Sequence, residues 1–276
     1  MRNISACRVI IDPVPLAGSV NMAIDGALLQ AADEQPTVPV VRVYRWSEPT
    51  VSLGYFQNFE SSFTDQKLTE CPRVRRITGG GAILHHHELT YSCVIPRTHP
   101  LRHQPLRLYE VVHGTIANLL ESCGVSVGFR KEHPQHGDNP ESNNHRKNEH
   151  FFCFLRCDPR DLVAVGDHIE GHPKVAGSAQ RRRRGTILQH GSVLLNSSYL
   201  LTTAKGICNL FPKFDLPGFT AALPDRLANS IAGEHITSQY TDHERHLTLA
   251  NLESLTRGTI NQVLPTPDES QQVTTI

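Results

Sequence analysis

Three consecutive glycines, Gly79, Gly80 and Gly81, sit inside residues 75–96, a stretch otherwise suited to strands. Glycine loses more conformational freedom on folding than any other residue, so a run of three argues for bare backbone that something else approaches closely. Arg75 and Arg76 precede the run, and an apolar segment (Ala82, Ile83, Leu84) and an alternating one (Leu89, Tyr91, Cys93, Ile95) follow it. Both segments read as strands entering a core. A basic, glycine-lined loop held between strands suits an acyl chain ending in a thioester, or a phosphate; an isolated glycine triplet would suggest only a hairpin turn.

With 276 residues the chain can bury a sizeable core, in one large domain or two small ones. Its 27 Lys and Arg balance 27 Asp and Glu, so no global charge recruits nucleic acid or an anionic membrane. Cysteines at 7, 71, 93, 123, 153, 157 and 208 form no paired framework, which fits a reduced cytoplasmic compartment better than secretion. No basic leader precedes an apolar run at the start, and no apolar stretch approaches the roughly 20 residues that span a bilayer. A soluble, intracellular protein is expected.

Along the chain, residues 20–31 place Met22, Ala23, Ile24, Ala27, Leu28 and Ala31 at helical spacing, with Ser19 or Asn21 as the cap. Residues 40–46 and 50–55, parted by Ser47, Glu48 and Pro49, read as a hairpin, and 58–70 as a short helix leading to the glycine loop. A helical stripe over 106–123 ends at Gly124. Residues 131–150 carry no aliphatic or aromatic side chain and predict a disordered surface loop, whose histidines lack metal-ligand spacing. Residues 161–166 read as a strand, and 174–180 and 185–195 as two more around the arginine run 181–184. That run is a solvated hairpin tip or a landing pad for an acidic partner. A helix over 246–259 and a disordered tail complete the reading, with one catalytic domain over 1–262 and a flexible segment over 263–276.

Taken together, Asn21-Met22-Ala23 with Asp25, Trp46 to Gly54 with Gln57, the RRxTGGG loop with His85, and the KxAGSAQ motif with His190-Gly191-Ser192 resemble the lipoate-protein ligase A and biotin ligase superfamily over about residues 15–200. The resemblance implies an α+β fold, a mixed and largely antiparallel sheet flanked by helices. It also implies one acyl pocket lined by Arg76, Gly79, Gly80, Gly81, Ala82, Ile83, Leu84, His85, Gly177 and Ser178, with Lys174 reaching the acyl carbonyl. Cys153-Phe154, followed by Asp161-Leu162-Val163 and Gly166, is similar to the segment of cysteine-dependent octanoyltransferases in which that cysteine carries the acyl group. Two departures from the family pattern are Cys157-Asp158 where Pro-Ser is usual, and an insertion, residues 167–172, that sets Lys174 eight positions beyond Gly166. The implied donor is octanoyl-acyl carrier protein and the implied acceptor a lipoyl domain such as glycine cleavage H protein. On this length, the extra carboxy-terminal domain of the bacterial ATP-dependent ligases is not expected.

The chemistry needs no nucleotide, since a thioester is already activated and an amide is more stable. A thiolate can both exchange with the thioester and leave again. Cys153 is the candidate nucleophile, with Cys157 as fallback and a buried, inert thiol as the bland reading; Lys174 is the cation that would favour the thiolate and steady the oxyanion. His85 is either the acceptor of the incoming lysine's proton or a structural partner of the glycine loop. Three kinds of protein remain open: the transferase (or an amidotransferase between lipoyl domains), a ligase using ATP and Mg²⁺, and a carrier-binding module without turnover. No cofactor and no metal are expected for the first, and a monomer suffices.

Overall fold

The computed structural model describes residues 6–35, 38–57, 66–134 and 158–255. In chain order the elements are β1 (Cys7–Ile11), α1 (Gly18–Glu34), β2 (Val40–Tyr44), β3 (Thr50–Leu53), α2 (Gln66–Thr69), β4 (Arg73–Arg75), β5 (Ile83–His85), β6 (Glu88–Ile95), α3 (Pro105–Ser122) and β7 (Val127–Phe129). They continue with β8 (Leu162–Ala164), β9 (Lys174–Arg183), β10 (Thr186–Leu194), α4 (Ile207–Leu210), α5 (Leu216–Ala232), β11 (His235–Thr237) and α6 (Asp242–Leu255). Eight strands make one sheet in the order β11-β1-β2-β6-β10-β9-β8-β7, and three make a small sheet, β4-β3-β5. The β11-β1-β2 edge is parallel and β2 through β7 is antiparallel, the mixed, largely antiparallel sheet that the sequence implies.

The central strands are buried on both faces, and their alternation sorts side chains by chemistry. On β6, Leu89, Tyr91, Cys93 and Ile95 join the larger core with Leu108, Val112, Ile116 and Leu120 of α3 and Phe219, Leu223, Leu227 and Ile231 of α5. The other face of the sheet carries Ile10, Val40, Val94 and Leu188 against Val20, Ala23, Ile24 and Leu28 of α1 and Leu252 of α6. Between those apolar residues, however, the same face is polar: Arg42, Thr90, Ser92, His190 and Ser192 are all buried. A buried polar face on three central strands is poor packing material, and it makes the floor of the site.

Several expectations hold. The β9–β10 hairpin forms in register around Arg184 and Gly185, which take φ of 46° and 90°, and α3 stops where Gly124 turns left-handed at φ 86°. Residues 167–172 fold as a turn that buries Ile169 and returns Lys174 opposite Val163. Others are corrected. The hairpin over 40–55 does not form: β2 lies between β1 and β6, whereas β3 leaves for the small sheet. The connection is pinned at Trp46, whose backbone bridges to Leu16 and whose Nε1 donates to Thr90 Oγ1 at 2.9 Å. Neither Ser19 nor Asn21 caps α1; the cap is Ala17, without a side-chain bond. Asn21 instead donates to the Leu16 and Arg45 carbonyls, both at 3.1 Å, tying the helix start to the strand beside it. The unpatterned region after 197 holds α5, which tolerates Pro224 internally, and the helix expected over 246–259 begins earlier, at Asp242. The loop expected over 131–150 is corrected at its start, where Arg130–Glu132 form a short 3-10 turn held by the bond from the Lys131 amide to Pro159 O; its remainder from 135, most of 58–70, Cys153, Cys157 and the tail lie outside the described residues.

Candidate active site

A pocket, partly open to solvent, lies between the polar floor and a roof made of α1 and the small sheet. Lys174, Gly177 and Ser178 line it from β9, His190 and Ser192 from β10, Thr90 from β6, and Tyr44 from β2, with Trp46 just beyond that strand. The roof supplies Met22, Arg76, Gly79, Gly80, Ile83 and His85. Of the residues expected in the pocket, the structure brings together Arg76, Gly79, Gly80, Ile83, His85, Lys174, Gly177 and Ser178. Ala82 and Leu84 pack instead into a roof core with Val51, Leu53, Leu68 and Leu200. Gly81 contributes a carbonyl that accepts from Arg76.

The glycine loop is shaped from below and beside. Gly80 takes φ 97°, a conformation that favours glycine, and a Cβ on Gly54 would overlap the Gly80 carbonyl oxygen, so Gly54 lets the loop close onto β3. Arg76 is buried, and its donors are turned on its own loop: Nη1 donates to Ser52 O at 2.7 Å and Oγ at 2.6 Å, Nη2 to the carbonyls of Gly79 at 3.2 Å and Gly81 at 2.8 Å. The arginine that the sequence suggests for ligand contact thus stiffens the cradle.

His85 is held on three sides. Its Nδ1 donates to Glu88, its Nε2 meets the Ser52 hydroxyl, and its ring stacks on Trp46 with centroids 3.7 Å apart. Burial, opposed by the Glu88 carboxylate and aided by the Arg76 charge, pushes its pKa below that of an ordinary histidine. With both nitrogens engaged by the protein, the structural role of the two posed for it is the one that the geometry supports.

At the β9 end Lys174 Nζ lies 2.8 Å from Asp161 Oδ2, and both side chains are about 95% buried. A buried lysine needs such a counter-ion. Asp161 is fixed in turn: its Oδ2 accepts from the Asp158 amide at 2.7 Å, and the adjacent Arg160 carbonyl accepts from His113 Nδ1 at 2.5 Å. His113 Nε2 meets Ser178 Oγ at 2.7 Å, so α3 ties the 158–161 turn to β9 from behind the sheet. Gly177 makes the approach possible, because a Cβ there would stand 2.5 Å from Lys174 Cε and 2.8 Å from both Nζ and Asp161 Oδ1.

Sequence reasoning missed Asp161 as a partner of Lys174, and it named Asp25 and His190 in motifs without giving this second set a role in the site. Asp25 on α1 accepts from Arg42 at 2.9 Å, Tyr44 at 2.9 Å, Ser92 at 2.5 Å and His190 Nδ1 at 2.9 Å, and His190 Nε2 meets Thr78 Oγ1 of the glycine loop at 2.6 Å. Burial alone would raise the Asp25 carboxyl, but the His190 bond, the Arg42 charge and the Ser92 bond outweigh it and hold it below the usual range. The available signal was Asp25 among apolar residues of α1, since a carboxylate at a core position demands partners.

Burial pushes up the thiols of Cys7, to about 12, and of Cys71, Cys93 and Cys208, the direction that disfavours a thiolate. No cluster of metal-ligating side chains occurs among the described residues, and no described helix is long and apolar enough to cross a membrane.

Residues 17–215 match the lipoyl protein ligase A/B catalytic domain. The octanoyltransferase LipM of Bacillus subtilis (strain 168) is 37% identical over 193 residues, 67% of this chain and 64% of that one. The octanoyltransferase LipM of Oceanobacillus iheyensis is 36% identical over 189 residues, 67% and 63% of the two chains. The match thus spans less than two thirds of these relatives' length. Among solved structures, a lipoate-protein ligase A bound with ATP superposes with TM-score 0.64 at 19% identity, covering 89% of this chain and 94% of that one. A bipartite lipoate protein ligase from Thermoplasma acidophilum does so with TM-score 0.65 at 17% identity, covering 90% and 91%. At those identities the likeness is one of fold. By the extent of its matched segment, the chain belongs to the lipoyl protein ligase A/B catalytic-domain family.

Proposed function

We propose that the chain moves an octanoyl group from acyl carrier protein to a lysine of a lipoyl domain, such as glycine cleavage H protein, through a thioester on Cys153. The observation that carries this reading is the buried Lys174–Asp161 pair lining a pocket that Met22, Tyr44 and Trp46 also wall. A fixed cation beside an apolar slot suits a carbonyl at one end and a hydrocarbon tail at the other. The relatives named octanoyltransferases support the substrate class.

In the first step the Cys153 thiolate attacks the carbonyl of the carrier's thioester. The tetrahedral oxyanion is steadied by Lys174 and collapses with loss of the carrier thiolate. In the second step the acceptor amine attacks the Cys153 thioester, gives its proton to water, and the amide forms as the Cys153 thiolate departs; the released carrier thiolate takes up the balancing proton. Asp161 holds the Lys174 ammonium in place, and the Arg76 bonds keep the glycine cradle from sagging into the slot. No nucleotide and no metal take part in this scheme. The floor comes from one sheet of one chain, so a monomer can act, and the compartment is that of the carrier protein, the cytoplasm.

Intact-protein mass spectrometry after mixing with octanoyl-acyl carrier protein, without ATP, tests the scheme. A hydroxylamine-sensitive octanoyl adduct that disappears in Cys153→Ala is expected. Absence of the adduct, with transfer appearing only when ATP and Mg²⁺ are added, would replace the transferase by a ligase.

A further inference from the structure

We propose that the Met22 side chain sets the length of acyl chain that the pocket accepts, as a partition between the acyl cavity and a second, larger cavity behind it; the inference rests on the acyl-transfer reading above. Met22 lines both spaces. The second, larger and more open to solvent, lies between α1, α6, the loop residues Tyr55 and Ile77, and the β9 residues Arg181 and Arg183. Among the described residues no other is common to the two linings. Met22 is 5% exposed and packs with Tyr44, Trp46 and Val74, at the β2 end of the floor.

The length of the slot follows from the sheet. From β9 to β2 is three strand spacings, about 14 Å at roughly 4.8 Å each. An extended octanoyl chain measures about 9 Å from carbonyl carbon to methyl, taking bonds of about 1.5 Å in a zigzag. With its carbonyl beside Lys174 and the terminal methyl's own radius added, it fills most of that distance. A dodecanoyl chain, about 14 Å on the same measure, runs into the Met22 thioether. Beyond that side chain there is space, so the limit on length belongs to one flexible, unbranched residue rather than to the sheet. Removing it joins the cavities, and each further methylene taken out of water then improves binding about fourfold.

The test compares the wild type with Met22→Ala, Met22→Leu and Gln30→Ala in two measurements: transfer of octanoyl and dodecanoyl groups from acyl carrier protein, and calorimetric binding of free octanoic and dodecanoic acids. The wild type and Met22→Leu are expected to favour the eight-carbon chain. Met22→Ala is expected to shift the dodecanoyl-to-octanoyl ratio at least tenfold toward the longer chain in both measurements. Gln30, which lines only the second cavity, is expected to leave the ratio unchanged when truncated. A folded Met22→Ala with the wild-type ratio in both measurements overturns the proposal. If the wild type transfers nothing but Met22→Ala still shifts the binding ratio, the acyl-transfer reading fails and the partition stands.

Discussion

Replacing Gly177 by alanine should separate activity from stability. The new methyl would stand 2.5 Å from Lys174 Cε and 2.8 Å from its Nζ. Restoring an ordinary carbon–carbon contact of about 3.5 Å moves the end of the lysine by about 1 Å. That end is flexible, so little backbone strain results, and alanine in a strand recovers about 0.4–1 kcal/mol of conformational entropy from the unfolded chain. The melting temperature should therefore change little. The ammonium, however, must steady an oxyanion at a defined place, and a misplacement of about 1 Å costs on the order of 100-fold in rate. That corresponds to about 2.7 kcal/mol of transition-state stabilisation. Single-turnover formation of the octanoyl-enzyme, followed by mass spectrometry, reads the rate directly. Gly114→Ala is the control, since nothing lies within 4 Å of that Cβ on α3. A folded Gly177→Ala that acylates at the wild-type rate would refute the argument that this glycine exists to seat the lysine.

Three further outcomes follow from the same geometry. Asp161→Asn leaves the buried Lys174 ammonium without its counter-ion and should lower stability by about 3–5 kcal/mol in denaturant titration, while Asp161→Leu with Lys174→Met together should recover most of it; equal losses for single and double variants would contradict this. Gly54→Ala forces a methyl onto the Gly80 carbonyl, where no flexible side chain can yield, so a loss of about 1–3 kcal/mol with faster proteolysis at the glycine loop is expected. Burial lowers the pKa of His85 and of His113, so below about 6.5 the unfolded chain takes up protons that the folded one does not. Stability should be full above about pH 6.5 and fall as the pH drops toward 5; denaturant midpoints equal at pH 7.5 and 5.5 would exclude that linkage.

What could be read from the sequence was local. The β9–β10 hairpin and α3 are specified by turn residues and a period that lie within their own spans. The failed hairpin over 40–55 shows the limit: both strands were legible, but their partners, β6 and β5, lie dozens of residues away, and Trp46 parts them through its backbone bridge to Leu16 and its bond to Thr90. α5 was hidden because Pro217 and Pro224 break the expected pattern, although one sits in the first turn, where its missing N–H costs nothing. In the site, motif residues were found and their pairings were not. Lys174, Arg76, Asp161, Asp25 and Thr78 all stand in recognisable motifs, whereas the bonds of Lys174 to Asp161 and of His190 to Asp25 and Thr78 form only once the strands are in register.

The position of α6 bears on where this protein can be cut. The family segment ends at residue 215, yet α6 lies across α1 and is clamped to the first strand through Glu244 and Arg8, 2.7 Å apart. Beyond that limit also lie α5, which supplies Phe219, Leu223, Leu227 and Ile231 to the larger core, and β11, which covers the outer edge of β1. A fragment trimmed to the matched boundaries would therefore keep every motif of the site and forfeit its foundation: the helix bearing Met22 and Asp25 would lose its brace, and β2 would become a naked edge. Recognition by family and autonomy in folding are different borders in this chain, and the second encloses the first.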